Sequence, residues 1–179
     1  MNTKSQKIAG FTLIELIITL SVAAILLAIA TPSFTNMIKD NRLITQVNDF
    51  SASLNLGRSE AIKRSLTVTV CKSNNQTSCG GSWENGWIVF EDVDGQGDLD
   101  SGTDAIIRVH SGLSNGNTLD SSSTTTANRI TYDATGLAMG FNSTFTLCDD
   151  RGISSARGLV ISPSGRIRVA EASDLSSCS

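Results

Sequence analysis

The spacing of apolar residues divides the chain into three regimes. From 11 to 30 every side chain is apolar, small or hydroxyl-bearing, with Glu15 the one exception. At 1.5 Å per residue this segment reaches about 30 Å as a helix, the thickness of a bilayer core. Apolar residues then recur at Phe34, Met37, Ile38, Ile44, Val47, Phe50, Leu54 and Ile62, mostly at three- to four-residue steps. That spacing predicts an amphipathic helix continuing directly from the span. Pro32 is expected to kink it rather than end it, and Gly57 is a second soft point. The helix should run to residue 64, where "LTVTVC" begins a period-two alternation. Strands are expected at 66–71, 87–92, 105–110, 128–133, 144–149, 157–162 and 165–169, punctuated by Gly, Asn, Asp and Ser. The Ser/Thr/Gly/Asn-rich stretch 111–127 reads as a mobile surface loop. The expected fold is α+β: a long helix over 11–64, transmembrane over 11–30, packed on an antiparallel β head over 65–179. A head this small cannot bury so long a helix, so the first half must meet lipid or other helices.

Charge changes the picture locally. The 179 residues carry 14 Lys and Arg against 17 Asp and Glu, a net charge of −3, which gives no global sign of nucleic-acid binding. The charges are segregated, however. Glu84, Glu91, Asp92, Asp94, Asp98, Asp100 and Asp104 follow one another with no base between them. Arg151, Arg157, Arg166 and Arg168 follow one another with no acid between them. Lys4 and Lys7 precede the apolar run, and no acid precedes Glu15, which places the amino terminus on the cytoplasmic side and the head outside. Cys71, Cys79, Cys148 and Cys178 fit two disulfides of an exported domain better than a zinc site, since no Cys-x-x-Cys occurs. Nearest-neighbour pairing gives Cys71–Cys79 and Cys148–Cys178, among three connectivities that the sequence permits.

Glu15 is the costly residue. A carboxylate at the centre of a bilayer helix costs roughly 2.5–3.5 kcal/mol, so it needs a partner or a route to the interface. An ordinary secretory signal cut after Ala28-Ile29-Ala30 is an alternative reading, but the run is long for one and contains this acid. The stretch Gly10-Phe11-Thr12-Leu13-Ile14-Glu15-Leu16 resembles the amino terminus of type IV pilins and type II secretion pseudopilins. The resemblance implies a leader, 1–10, removed after Gly10 by a prepilin peptidase, and N-methylation of Phe11. It implies a single-pass inner-membrane subunit with a periplasmic head, later extracted into a pilus or pseudopilus of other pilins. Glu15 would there meet the amine of a neighbouring Phe11. Gly57-Arg58-Ser59-Glu60-Ala61, Gly86-Trp87-Ile88-Val89-Phe90 and the segment 148–169 extend the resemblance to FimT/FimU-type minor pilins and pseudopilin H.

Candidate chemistry concentrates in Ser164-Gly165-Arg166-Ile167-Arg168-Val169. A turn followed by a strand puts Arg166 and Arg168 on one face, their bases about 7 Å apart by twice the strand rise. Two guanidiniums with no acid between them suit the phosphates of double-stranded DNA. The Gly165-Arg166-x-Arg168 element resembles the motif through which FimT-type minor pilins bind DNA in natural transformation, and Arg151 and Arg157 would widen the patch. Asp92, Asp94, Asp98 and Asp100 are a weaker calcium candidate, because the D-x-[DN]-x-[DN]-G pattern is not met and an acidic hairpin turn explains them. No cofactor motif is present. His110, the only histidine, has no nucleophile motif beside it, and Trp83 and Trp87 read as core. The sequence therefore reads as a minor pilin with a candidate element for DNA uptake, with pseudopilin H of a type II system as the alternative and a secreted enzyme as a third reading.

Overall fold

The computed structural model describes residues 10–178, so most of the leader, including Lys4 and Lys7, lies outside the described residues. Two compact units divide between Lys39 and Asp40. Helix α1, Leu13–Arg64, begins in the first and ends in the second.

In the first unit no side chain that is described is buried. The most apolar window has a mean hydropathy of 2.7, long and apolar enough to cross a membrane by length and composition. Its hydroxyls turn back onto the helix. Thr19 donates to Leu16 O at 2.9 Å, Ser21 to Ile17 O at 2.8 Å, Thr31 to Leu27 O at 2.6 Å and Thr35 to Thr31 O at 3.0 Å. Polar groups satisfied in this way present no unpaired donor to lipid. The helix continues through Pro32.

The second unit contains all the buried apolar side chains among the described residues. The buried stripe of α1 is Leu43, Val47, Phe50, Leu54 and Ala61, with Gln46, Ser53 and Gly57 beside it. Ile44 and Ile62, expected inside, are exposed, so the stripe is phased one residue away from the expected one at both ends. Gly57 is not a soft point. A Cβ there would lie 3.1 Å from Val70 Cγ2, so the missing side chain lets the helix approach the sheet closely.

Among the described residues, eight strands form two antiparallel sheets. The first has the order β3-β2-β1-β5, from β1 (Val68–Lys72), β2 (Gly86–Glu91), β3 (Ile106–Ser111) and β5 (Arg129–Tyr132). The second has the order β4-β6-β7-β8, from β4 (Thr118–Ser121), β6 (Ser143–Cys148), β7 (Arg157–Ile161) and β8 (Ile167–Val169). Phe50 joins them, with its ring centroid 5.0 Å from Trp87 of β2 and 4.9 Å from Phe145 of β6, both edge-on. Seven strands match expectation within two residues. The eighth, β4, lies inside the stretch expected to be a mobile loop. It holds one apolar residue, buried Leu119, too little alternation to signal a strand, and it forms because it pairs with β6. The rest of that stretch is anchored too. Asn117 donates to Gln46 Oε1 at 2.6 Å, Trp83 Nε1 donates to Thr126 O at 3.2 Å, and Ser121 bonds Thr126 and Ser143.

The outer faces are covered by returning chain. Over the first sheet, Cys71, Ile88 and Phe90 form a small cluster with Cys79 and Leu99, under the disulfide loop and the 92–104 hairpin loop. Over the second sheet, the C-terminal segment crosses β6 and β7. Gly158 makes room for it, since a Cβ there would meet Leu175 Cδ2 at 2.7 Å and Phe145 O at 2.3 Å.

Candidate functional site

At the amino terminus, Gly10 and Phe11 precede the helix and are exposed. Thr12 caps it. Glu15 N donates to Thr12 Oγ1 at 3.3 Å, while Thr12 N and Oγ1 donate to Glu15 Oε2 at 3.3 and 3.1 Å. This is a capping box, with the carboxylate at the positive end of the helix dipole. The costly charge therefore has a local partner within its own chain.

The arginine turn is built against the end of α1. Gly165 N donates to Ser162 O at 2.8 Å, and Ser162 N donates to Arg166 O at 3.0 Å, closing the turn into β8. Gly165 has φ 72° and lies against Gly136 O, which a Cβ would meet at 2.1 Å, so glycine is required twice over. Arg58 fixes the arrangement, donating to Gly136 O at 3.0 Å and to Ser164 O at 3.2 Å. The stretch Gly57–Ala61 gives Arg58 no role in the sequence, and its place on α1 opposite the turn reveals this one.

Register decides which arginines act together. Residues paired across antiparallel strands share a face. Val160 pairs Arg168, whereas Leu159 and Ile161 pair Val169 and Ile167 and face the core. Arg166, two residues before Arg168, lies on the Val160 side with it. Both are exposed and border one shallow depression with Ser162 and Ser164. The expected common face is therefore present, although β8 begins only at Ile167.

The wider patch is not. Arg157 pairs Leu147, a core-facing position, so it projects from the opposite face. Arg151 is held by Asp149 at 2.8 Å and by Asp40 of α1 at 2.8 Å. These carboxylates, hydrogen bond to Asp149 first, raise the Arg151 pKa above its ordinary value. Arg168 is partnered as well. Its Nη1 donates to Asp174 Oδ2 at 2.7 Å and its Nη2 to Asp174 Oδ1 at 3.2 Å. The strip is free of acid in sequence but not in space. Arg166 alone of the four has neither an acidic partner among the described residues nor a place on the wrong face.

The calcium candidates do not converge. Asp92 is buried and accepts from Thr69 Oγ1 at 2.6 Å, and Asp94 caps its own loop through Gln96 N at 3.0 Å. Asp104, outside the candidate set, organises the loop by accepting from Val93 N at 3.1 Å and Asp100 N at 2.9 Å. Among the described residues no three His, Cys, Asp or Glu side chains are grouped to hold a metal ion. His110 is stacked flat on Trp87, centroids 3.9 Å apart, with Nδ1 2.6 Å from Ser111 O. The cysteines pair as Cys71–Cys79 and Cys148–Cys178.

Residues 46–165 match the family described as type II transport protein GspH, and residues 5–31 match the prokaryotic N-terminal methylation motif. The chain belongs to the GspH family. It is a minor pilin or pseudopilin, of a type IV pilus or a type II secretion system. The fold is similar to the crystal structure of the type IV minor pilin FimU of Pseudomonas aeruginosa. Identity is 23%, with 79% of this chain and 98% of that chain covered and a TM-score of 0.62. A second crystal form of FimU gives 24%, 75%, 98% and 0.57. The minor pseudopilin EpsH of the Vibrio cholerae type 2 secretion system is similar at 14% identity, covering 72% of this chain and 96% of that one, with a TM-score of 0.49. A comparison with curated proteins finds no significant match. In this GspH-family chain the methylation-motif match contains Gly10, Phe11 and Glu15, whereas the GspH match ends at Gly165. Arg166, Arg168 and the segment bearing Asp174 lie just beyond the matched region.

Proposed function

We propose that this chain is a minor pilin of a type IV pilus that grips double-stranded DNA by its phosphates through Arg166 and Arg168. Its leader is cut after Gly10 by a prepilin peptidase and Phe11 is methylated. The apolar half of α1 then holds it in the inner membrane, head in the periplasm, until it joins a filament of other pilins. Glu15 exchanges its Thr12 contacts for the amine of a neighbouring Phe11. The observation that carries the DNA reading is the shared exposed face of Arg166 and Arg168 on a turn held rigid by Gly165 and Arg58. Packing within the head makes no demand on Arg166. Phosphate contacts of this kind position DNA without reading its sequence.

The test is binding of a double-stranded oligonucleotide by the head from Asp40 onward, which carries the complete core and both disulfides. Replacing Arg166 and Arg168 together by alanine should weaken binding to all sequences alike and flatten its salt dependence by up to about two phosphates' worth. Unchanged binding would remove the assignment. The GspH family match favours a second reading, pseudopilin H of a type II secretion system. Deletion separates the two: loss of DNA uptake supports the pilus reading, and loss of protein secretion with uptake intact supports the other.

A further inference from the structure

We propose that the C-terminal segment 170–178 is an autoinhibitory strap whose Asp174 occupies Arg168 in place of a DNA phosphate. The inference rests on the DNA reading above and adds a regulator to that site. Asp174 meets Arg168 through two N–H···O bonds, the fork geometry a phosphate would use. The two ligands cannot take the same pair of donors together. Arg166, on the same face, has no such carboxylate among the described residues, so the face is half open and half closed.

The strap is held by contacts that do not involve Asp174's charge. Ala170 N donates to Gly158 O at 2.9 Å, and Leu175 lies over Gly158. Ser176 N donates to Thr146 Oγ1 at 3.2 Å, and Cys178 is bonded to Cys148 of β6. Asp174 is presented by a turn in which its own N–H donates to Glu171 O at 2.9 Å and its carboxylate accepts from Glu171 N at 2.9 Å. Glu171 is the other acid whose charge reaches Arg168. The carboxylate is thus delivered to the guanidinium by a tether fixed at both ends. It acts as an internal counterion, so a phosphate that takes Arg168 displaces Asp174 instead of releasing salt.

Asp174→Asn tests this in the head from Asp40 onward, with a double-stranded oligonucleotide as probe. Asparagine retains an oxygen for Glu171 N and removes the charge. The variant should bind about two- to five-fold more tightly, the range a partly exposed ion pair supports. Its dependence of log affinity on log salt should steepen by about one phosphate's worth. If Asp174→Asn fails to fold, Asp174→Ser carries the same expectation. With the parent binding, an Asp174→Asn affinity and salt slope equal to the parent's would overturn the strap alone. No binding by the parent, or equal binding by the parent and the Arg166/Arg168 double variant, would instead overturn the DNA reading beneath it, which keeps the two failures distinct.

Discussion

Single residues in this chain carry roles that substitution can separate. Glu15 has two separable roles, cap and charge. Glutamine can complete a capping box as glutamate does, so Glu15→Gln keeps the helix start and removes only the charge. If the charge serves assembly, Glu15→Gln should insert into membrane as the parent does and be depleted from sheared filaments. Normal recovery would leave Glu15 as a cap alone. Asp92 gives a pH prediction. Its burial beneath the 92–104 loop raises its pKa, Asp104 and Asp94 add to the rise, and the bond from Thr69 opposes it. A carboxyl with a raised pKa contributes stability that is complete at low pH and is lost as pH climbs through the raised value. The head should therefore lose melting temperature as pH rises above the ordinary carboxylate range, and Asp92→Asn should flatten that decline. An identical pH profile for parent and variant would contradict it.

At the scale of elements, Phe50 is the hinge of the architecture, because one ring on α1 touches Trp83, Trp87 and Phe145 and so binds helix and both sheets together. Phe50→Ala should cost roughly 3–5 kcal/mol, read as a lowered urea midpoint of the head. A loss under about 1 kcal/mol would mean that the sheets hold without it. Local pattern made α1 and seven strands legible, since periods of 3.6 and 2 are written in adjacent residues. The failures share a cause, which is information held by a distant partner. Leu119 makes a strand only because β6 lies beside it. Gly57 reads as a weak point until Val70 is seen against it. Arg166 and Arg168 were readable as a pair through strand alternation. Arg151 and Arg157 were not separable from them, because Asp40, Asp149 and the parity of β7 enter only with the fold. Asp174 follows the arginines in sequence by only a few residues, yet the tether that turns it back onto Arg168 is a disulfide and a glycine on other strands.

For the whole molecule, chemistry is divided between two ends of the sequence. The first half of α1 is mostly apolar, its Thr19, Ser21, Thr31 and Thr35 hydroxyls bond the helix's own carbonyls, and its start is a capped charge, features suited first to lipid and then to neighbouring helices. The unit from Asp40 onward carries its own core and disulfides and ends in an arginine face partly closed by its own tail. On the function proposed above the subunit is defined by its processing, because the amine proposed to meet Glu15 exists only once the leader is removed. The mass of the mature amino-terminal peptide therefore tests the account most directly. The expected result is a chain beginning at Phe11 and carrying one N-methyl group. A mature chain beginning at Thr31, or one retaining Met1, would contradict it.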